Sequence, residues 1–212
     1  MNCTSNFEGK IGKPEIVKFY DLMSKKFGVK IIEKRKSPFM ILISWFLGFL
    51  NLFWKSVPSR KEFMKDFSTT IGNRFYIRAE VGEDIDPVDA VYLLIHEFEH
   101  TEQFRREFFM PLKYLLFSKW RARYEAEACE TKIDMGWRYE LNCSDDTKFH
   151  VFVSWAKRKS KQWSEYYGCS DAACKEGENY LSNRALQHQF DSPKINGVVA
   201  EAAIILKDLG VI

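Results

Sequence analysis

The sequence predicts an α+β fold, mostly helical, with a small β-sheet packed beside one long helix. Three observations carry this expectation. Segments with apolar residues at helical spacing recur from residue 14 to residue 209. Only two short stretches, 29–33 and 74–81, have a β-branched or alternating character. Hydrophobic residues form 46% of the chain and 18 residues are Phe, enough for a bulky core within one domain spanning 1–212.

Residues 14–27 open with Pro14 and place Ile16, Val17, Tyr20 and Met23 at helical spacing before Gly28. Val29–Glu33 predicts a short strand. The basic cluster Lys34-Arg35-Lys36 then leads into an apolar stretch from Phe39 to Trp54. A 16-residue helix spans about 24 Å, short of the roughly 30 Å hydrocarbon core of a bilayer. Two readings therefore stand for residues 39–54: a core helix buried on most sides, or a helix making peripheral membrane contact. Trp45 and Trp54 suit either.

Residues 61–67 predict a short amphipathic helix, and Ser68–Asn73 a polar turn. From 74 to 81, Phe75, Ile77 and Ala79 alternate with Tyr76, Arg78 and Glu80, as in a half-buried strand. Asp86 is an N-cap, Pro87 fits the first helical position and Asp89 adds favourable first-turn charge. The helix they open should run to about Arg106. Pro111 interrupts the chain, and Trp120–Leu141 predicts a second long helix weakened by Gly136. Helices are further expected around 146–167, 175–189 and 197–209, with a turn at Ser192-Pro193.

Charge is nearly balanced, with 32 Lys and Arg against 29 Asp and Glu. That gives no global field for nucleic acid, and no nucleic-acid partner is expected. The patch Lys157-Arg158-Lys159-Ser160-Lys161 is read as a solvated helix face. The N-terminal residues lack the apolar run of a signal peptide, so a cytoplasmic protein is expected. Its five cysteines would then be free thiols, with Cys169 and Cys174 close enough in sequence to bridge a short loop.

The helix from Pro87 contains His96-Glu97-Phe98-Glu99-His100. Four residues apart, His96 and His100 project from one helix face and can reach one zinc ion. Glu97 lies beside them, placed to accept a proton from a zinc-activated water. Two histidines do not hold a zinc, and the next long helix offers Glu125-Ala126-Glu127-Ala128-Cys129. Glu125 and Glu127 stand about 200° apart around a helix, so both cannot face one metal. The other candidates for a third ligand are Glu130, Asp134 and His150.

This combination resembles the gluzincin-type zinc metallopeptidases, in which a helical glutamate downstream of HExxH completes the metal site. The likeness covers roughly residues 62–135 and is greatest to small uncharacterised bacterial and phage members. It implies a zincin-like fold with a metal-site core at about 62–141 and a helical C-terminal part at about 145–212. It implies His96, His100 and Glu125 as zinc ligands, Glu97 as general base, and a peptide or protein substrate. Where this chain has Cys129, the family pattern more often has an Asp that supports a zinc-binding histidine. It also implies that an edge strand near the active helix, here 74–81, pairs with extended substrate.

Gln103 is expected to hydrogen-bond a ligand, and Tyr114, Tyr124 or Tyr139 to stabilise an oxyanion. Glu99 and Glu102 are read as solvated, and His150 and His188 as structural or surface residues. The alternative from another class is a non-catalytic metal-binding or structural protein on the same scaffold, membrane- or virion-associated.

Overall fold

The computed structural model describes residues 3–7, 9–53, 59–66, 68–78 and 85–212. The architecture is mostly helical with two small sheets, the α+β class expected. In chain order the elements are β1 (Thr4–Ser5), α1 (Lys13–Phe27), β2 (Lys30–Glu33), α2 (Pro38–Asn51), α3 (Arg60–Asp66), β3 (Thr69–Ile71) and β4 (Arg74–Ile77). Then follow α4 (Pro87–Arg106), α5 (Met110–Leu116), α6 (Ser118–Met135), β5 (Leu141–Asn142), α7 (Asp145–Tyr167), α8 (Asp171–Phe190) and α9 (Gly197–Asp208). Trp54 and the expected strand positions 79–81 lie outside the described residues.

Helix α4 organises the fold. Asp86 accepts hydrogen bonds from the backbone N–H groups of Val88 and Asp89, satisfying donors that the first turn leaves open. Val91, Leu94, Ile95 and Phe98 are fully buried and join Phe19 and Met23 of α1 and Val199 and Ala202 of α9 in one core. Helix α6 packs beside α4 and carries its other face into a second core with α7 and α8.

The three-stranded sheet has the order β2-β4-β3, with β2 parallel and β3 antiparallel to β4. Two expectations change here. Residues 69–71, read as part of a turn, form a strand that packs on α4. Strand 74–77 is central, so the edge beside the HExxH helix is β3. Thr69, Thr70 and Ile71 are β-branched, and pairing with Arg74–Tyr76 across the Gly72-Asn73 turn outweighs the turn propensity of their neighbours.

The second long helix also differs from expectation. It stops at Met135, and Gly136–Glu140 form a π turn leading into β5. A Cβ at Gly136 would lie 2.6 Å from Phe152 Cζ, so the close approach of α7 requires glycine at that point.

The cysteine reading is corrected as well. Cys3 and Cys143 form a disulfide beside the β1–β5 pairing, while Cys129, Cys169 and Cys174 are free and buried. The bridged residues are 140 apart in sequence, so no local spacing announces them.

Helix α2 is not buried on most sides. Met40 and Ser44 are fully buried, whereas Leu42 is 68% and Phe46 60% exposed. Among the described residues, no helix is long and apolar enough to cross a membrane.

Candidate metal centre

Helices α4 and α6 bring three ligand groups together. His96 Nε2 and His100 Nε2 are 3.2 Å apart, and each is 3.5 Å from an oxygen of Glu125. Donors about 2.05 Å from a tetrahedral zinc lie about 3.3 Å from one another. Each imidazole faces its own Glu125 oxygen, and one ligand atom from each residue lies within 4.8 Å of the others, close enough to share one ion. This buried His96/His100/Glu125 group could bind a metal.

The neighbours of the triad hold its geometry. Gln103 Oε1 lies 2.8 Å from His100 Nδ1, and Gln103 Nε2 donates to the Tyr124 carbonyl at 2.9 Å. The carbonyl can only accept, which fixes the amide orientation and leaves Oε1 facing the imidazole. Gln103 therefore holds a proton on His100 Nδ1, and loss of the Nε2 proton would leave the Nε2 lone pair for a metal. Gln103 thus meets its expectation. Cys129 Sγ lies 3.9 Å from His96 Nδ1. Tyr114 donates to Glu125 Oε1 at 2.6 Å.

The carboxylate and the two imidazoles are coupled. Burial alone would push Glu125 up, but hydrogen bonds and charge from His100 and His96 hold its carboxyl well below the usual range. Burial pulls both imidazoles down. For His96, contacts with Cys129 and Glu125 outweigh it, and its pKa is raised well above normal. For His100, Glu125 outweighs burial in the same direction. The cluster stabilises positive charge where a cation would sit.

Glu97 is buried and receives a hydrogen bond from Thr70 Oγ1 at 2.6 Å. With His96 and Glu125 it lines a cavity of about 880 Å³ between α4, α6 and α7. Tyr167, at the end of α7, lines the same cavity. The charge of Glu125, then burial and the charge of Glu97, raise the Tyr167 pKa well above normal. Behind β3, the buried Lys34 ammonium donates to the Phe63 carbonyl at 2.8 Å and to Thr69 Oγ1 at 2.9 Å. Burial pulls its pKa down to about 7, against an upward pull from Glu97.

The other candidate ligands are engaged elsewhere. Glu127 pairs with Arg123 at 2.9 Å, and Glu130 with Arg184 at 3.1 Å. Asp134 receives Arg184 and His188, and His150 is exposed near the start of α7. Glu99 corrects its expectation: it is 3% exposed, with Arg106 at 2.6 Å and Asn196 at 2.9 Å. Tyr124 donates to Glu107, away from the triad. Tyr167 and Thr70 were not legible, because their approach to Glu97 and Glu125 is made by tertiary packing. No family model, curated protein or solved structure matches the chain.

Proposed function

We propose that this chain is a zinc-dependent metallopeptidase of the gluzincin type, hydrolysing peptide bonds. The observation that carries the reading is the convergence of His96, His100 and Glu125 into one buried group that could hold a metal, with Glu97 on the wall of the adjoining cavity. Two imidazoles and one carboxylate are a donor set that catalytic zinc takes, leaving a position open. When bound, zinc activates water near neutral pH and polarises a carbonyl.

The chain's own residues supply the remainder. Glu97 accepts the proton of the attacking water and returns it to the leaving amine. The Thr70 hydroxyl holds one Glu97 oxygen and fixes the carboxylate plane. Tyr167, kept protonated by the two carboxylates, donates to the oxyanion that forms on the substrate. The edge strand β3 supports a peptide as substrate, since an extended segment can add to it beside α4.

The test is a paired measurement of metal and activity. The wild-type chain should hold about one zinc, and His96→Ala, His100→Ala and Glu125→Ala should lose it. Glu97→Gln should keep zinc and lose hydrolysis of a mixed peptide library. Unchanged cleavage by Glu97→Gln sinks the mechanism. Zinc retained with no amide cleaved by wild type would instead favour the non-catalytic metal-binding protein.

A further inference from the structure

Helix α2 exposes an apolar stripe that the metal site does not explain. Phe39, Leu42, Phe46 and Phe49 follow a 3-4-3 spacing and share one helix face, and all four are exposed. Phe53 continues the series just past the helix end and is 66% exposed. The opposite face, with Met40 and Ser44, is buried against the sheet and α3. A stripe of this kind facing water calls for a partner.

The surrounding charge says which kind. Apart from the buried Lys34, residues 33–66 carry six basic and three acidic side chains, a net +3, as much as the whole chain carries. Arg35 and Lys36 are exposed just before the helix, and Lys61 and Lys65 are exposed on α3 beside it. The Arg60 guanidinium lies 3.9 Å over the ring of Trp45, itself 60% exposed. Aromatic side chains with cations at their rim suit the boundary between acyl chains and anionic headgroups. Pairing two copies through this face would instead bring like-charged rims together.

We propose that α2 is a docking helix lying in the plane of an anionic membrane surface. Leu42, Phe46 and Phe49 enter the acyl boundary, and the flanking cations meet the headgroups. At 14 residues the helix is about 21 Å long, which fits an in-plane position and not a crossing. Glu62 of α3, the helix packed on α2, lines the same cavity as His96 and Glu97. The docking itself does not depend on the hydrolase reading.

Flotation of the full chain with vesicles tests this. It should float with phosphatidylcholine–phosphatidylglycerol vesicles at least about a hundredfold more than with phosphatidylcholine alone, and less at high salt. The double variant Leu42→Asp/Phe46→Asp should stay at the bottom with unchanged far-UV circular dichroism. Arg35→Gln/Lys61→Gln/Lys65→Gln should lower partitioning about a hundredfold. Should the aspartates disturb folding, quenching of wild-type fluorescence by brominated lipid, reduced in Trp45→Phe, reads the same contact. Wild type that does not float with anionic vesicles overturns the proposal. So does a concentration-dependent dimer without flotation, which would assign the face to a second copy.

Discussion

Gln103 accepts a hydrogen bond from His100 Nδ1 at 2.8 Å while donating to the carbonyl of Tyr124 on α6 at 2.9 Å. One side chain thus fixes a ligand's tautomer and locks its ring to the helix that carries Glu125. Partners of this kind contribute about 10–100-fold to metal affinity. Gln103→Ala should weaken zinc binding by that factor while the fold persists, measured by competition with a chromophoric chelator. Undiminished affinity would show that the imidazole is oriented without the amide.

Cys129 presents the opposite case, a weak partner where a strong one fits. A thiol 3.9 Å from His96 Nδ1 is a longer and weaker hydrogen-bond partner than a carboxylate. A carboxylate there would make a charge-assisted hydrogen bond. Cys129→Asp should tighten zinc severalfold, and Cys129→Ala should change it less than Gln103→Ala does. Chelator competition on the three variants ranks them; a loss of zinc in Cys129→Asp contradicts the argument.

The sequence made α4 and the histidine pair legible for local reasons. Asp86-Pro87 is a chemical start signal, and His96 and His100 share a face by helix geometry alone. Glu125 was singled out only by a resemblance to known metallopeptidases; the residues alone left Glu127, Glu130, Asp134 and His150 open beside it. What was hidden is non-local. Cys3 meets Cys143 only because β1 pairs with β5. Thr69–Ile71 becomes a strand because β4 lies opposite, and Glu99 is buried because Asn196 arrives from the start of α9. Tyr167 reaches the cavity from the far end of α7, a placement that no spacing around it encodes.

Tyr167 therefore carries a prediction that the sequence alone could not frame. If its hydroxyl donates to the developing oxyanion, its removal should affect the transition state and not substrate binding. Tyr167→Phe should lower kcat about a hundredfold with little change in KM and with zinc retained. A raised KM with unchanged kcat would make it a substrate-binding residue.

Asp134 of α6 is held by side chains of α8 and by the backbone at the start of α9. It is fully buried, receives Arg184 at 2.8 and 2.9 Å and His188 at 2.7 Å, and accepts from the Asn196 backbone N–H at 2.8 Å. Burial raises its pKa, but His188, Arg184 and the Asn196 N–H outweigh this and hold it below the ordinary 3.8. A depressed carboxyl pKa stabilises the fold fully above the unfolded value, and that stability is lost as pH falls through the folded one. Glu99 and Glu130, both raised chiefly by burial, have the opposite slope, so wild type alone does not isolate the effect. The difference between wild type and Asp134→Asn does. In urea unfolding it should be about 3 kcal/mol near pH 6, because Arg184 and His188 lose their anion in a buried setting. Below the ordinary Asp range it should shrink towards zero. A difference that stays constant from pH 6 down to pH 2.5 would mean that packing, not the charge of Asp134, holds α6, α8 and the start of α9 together.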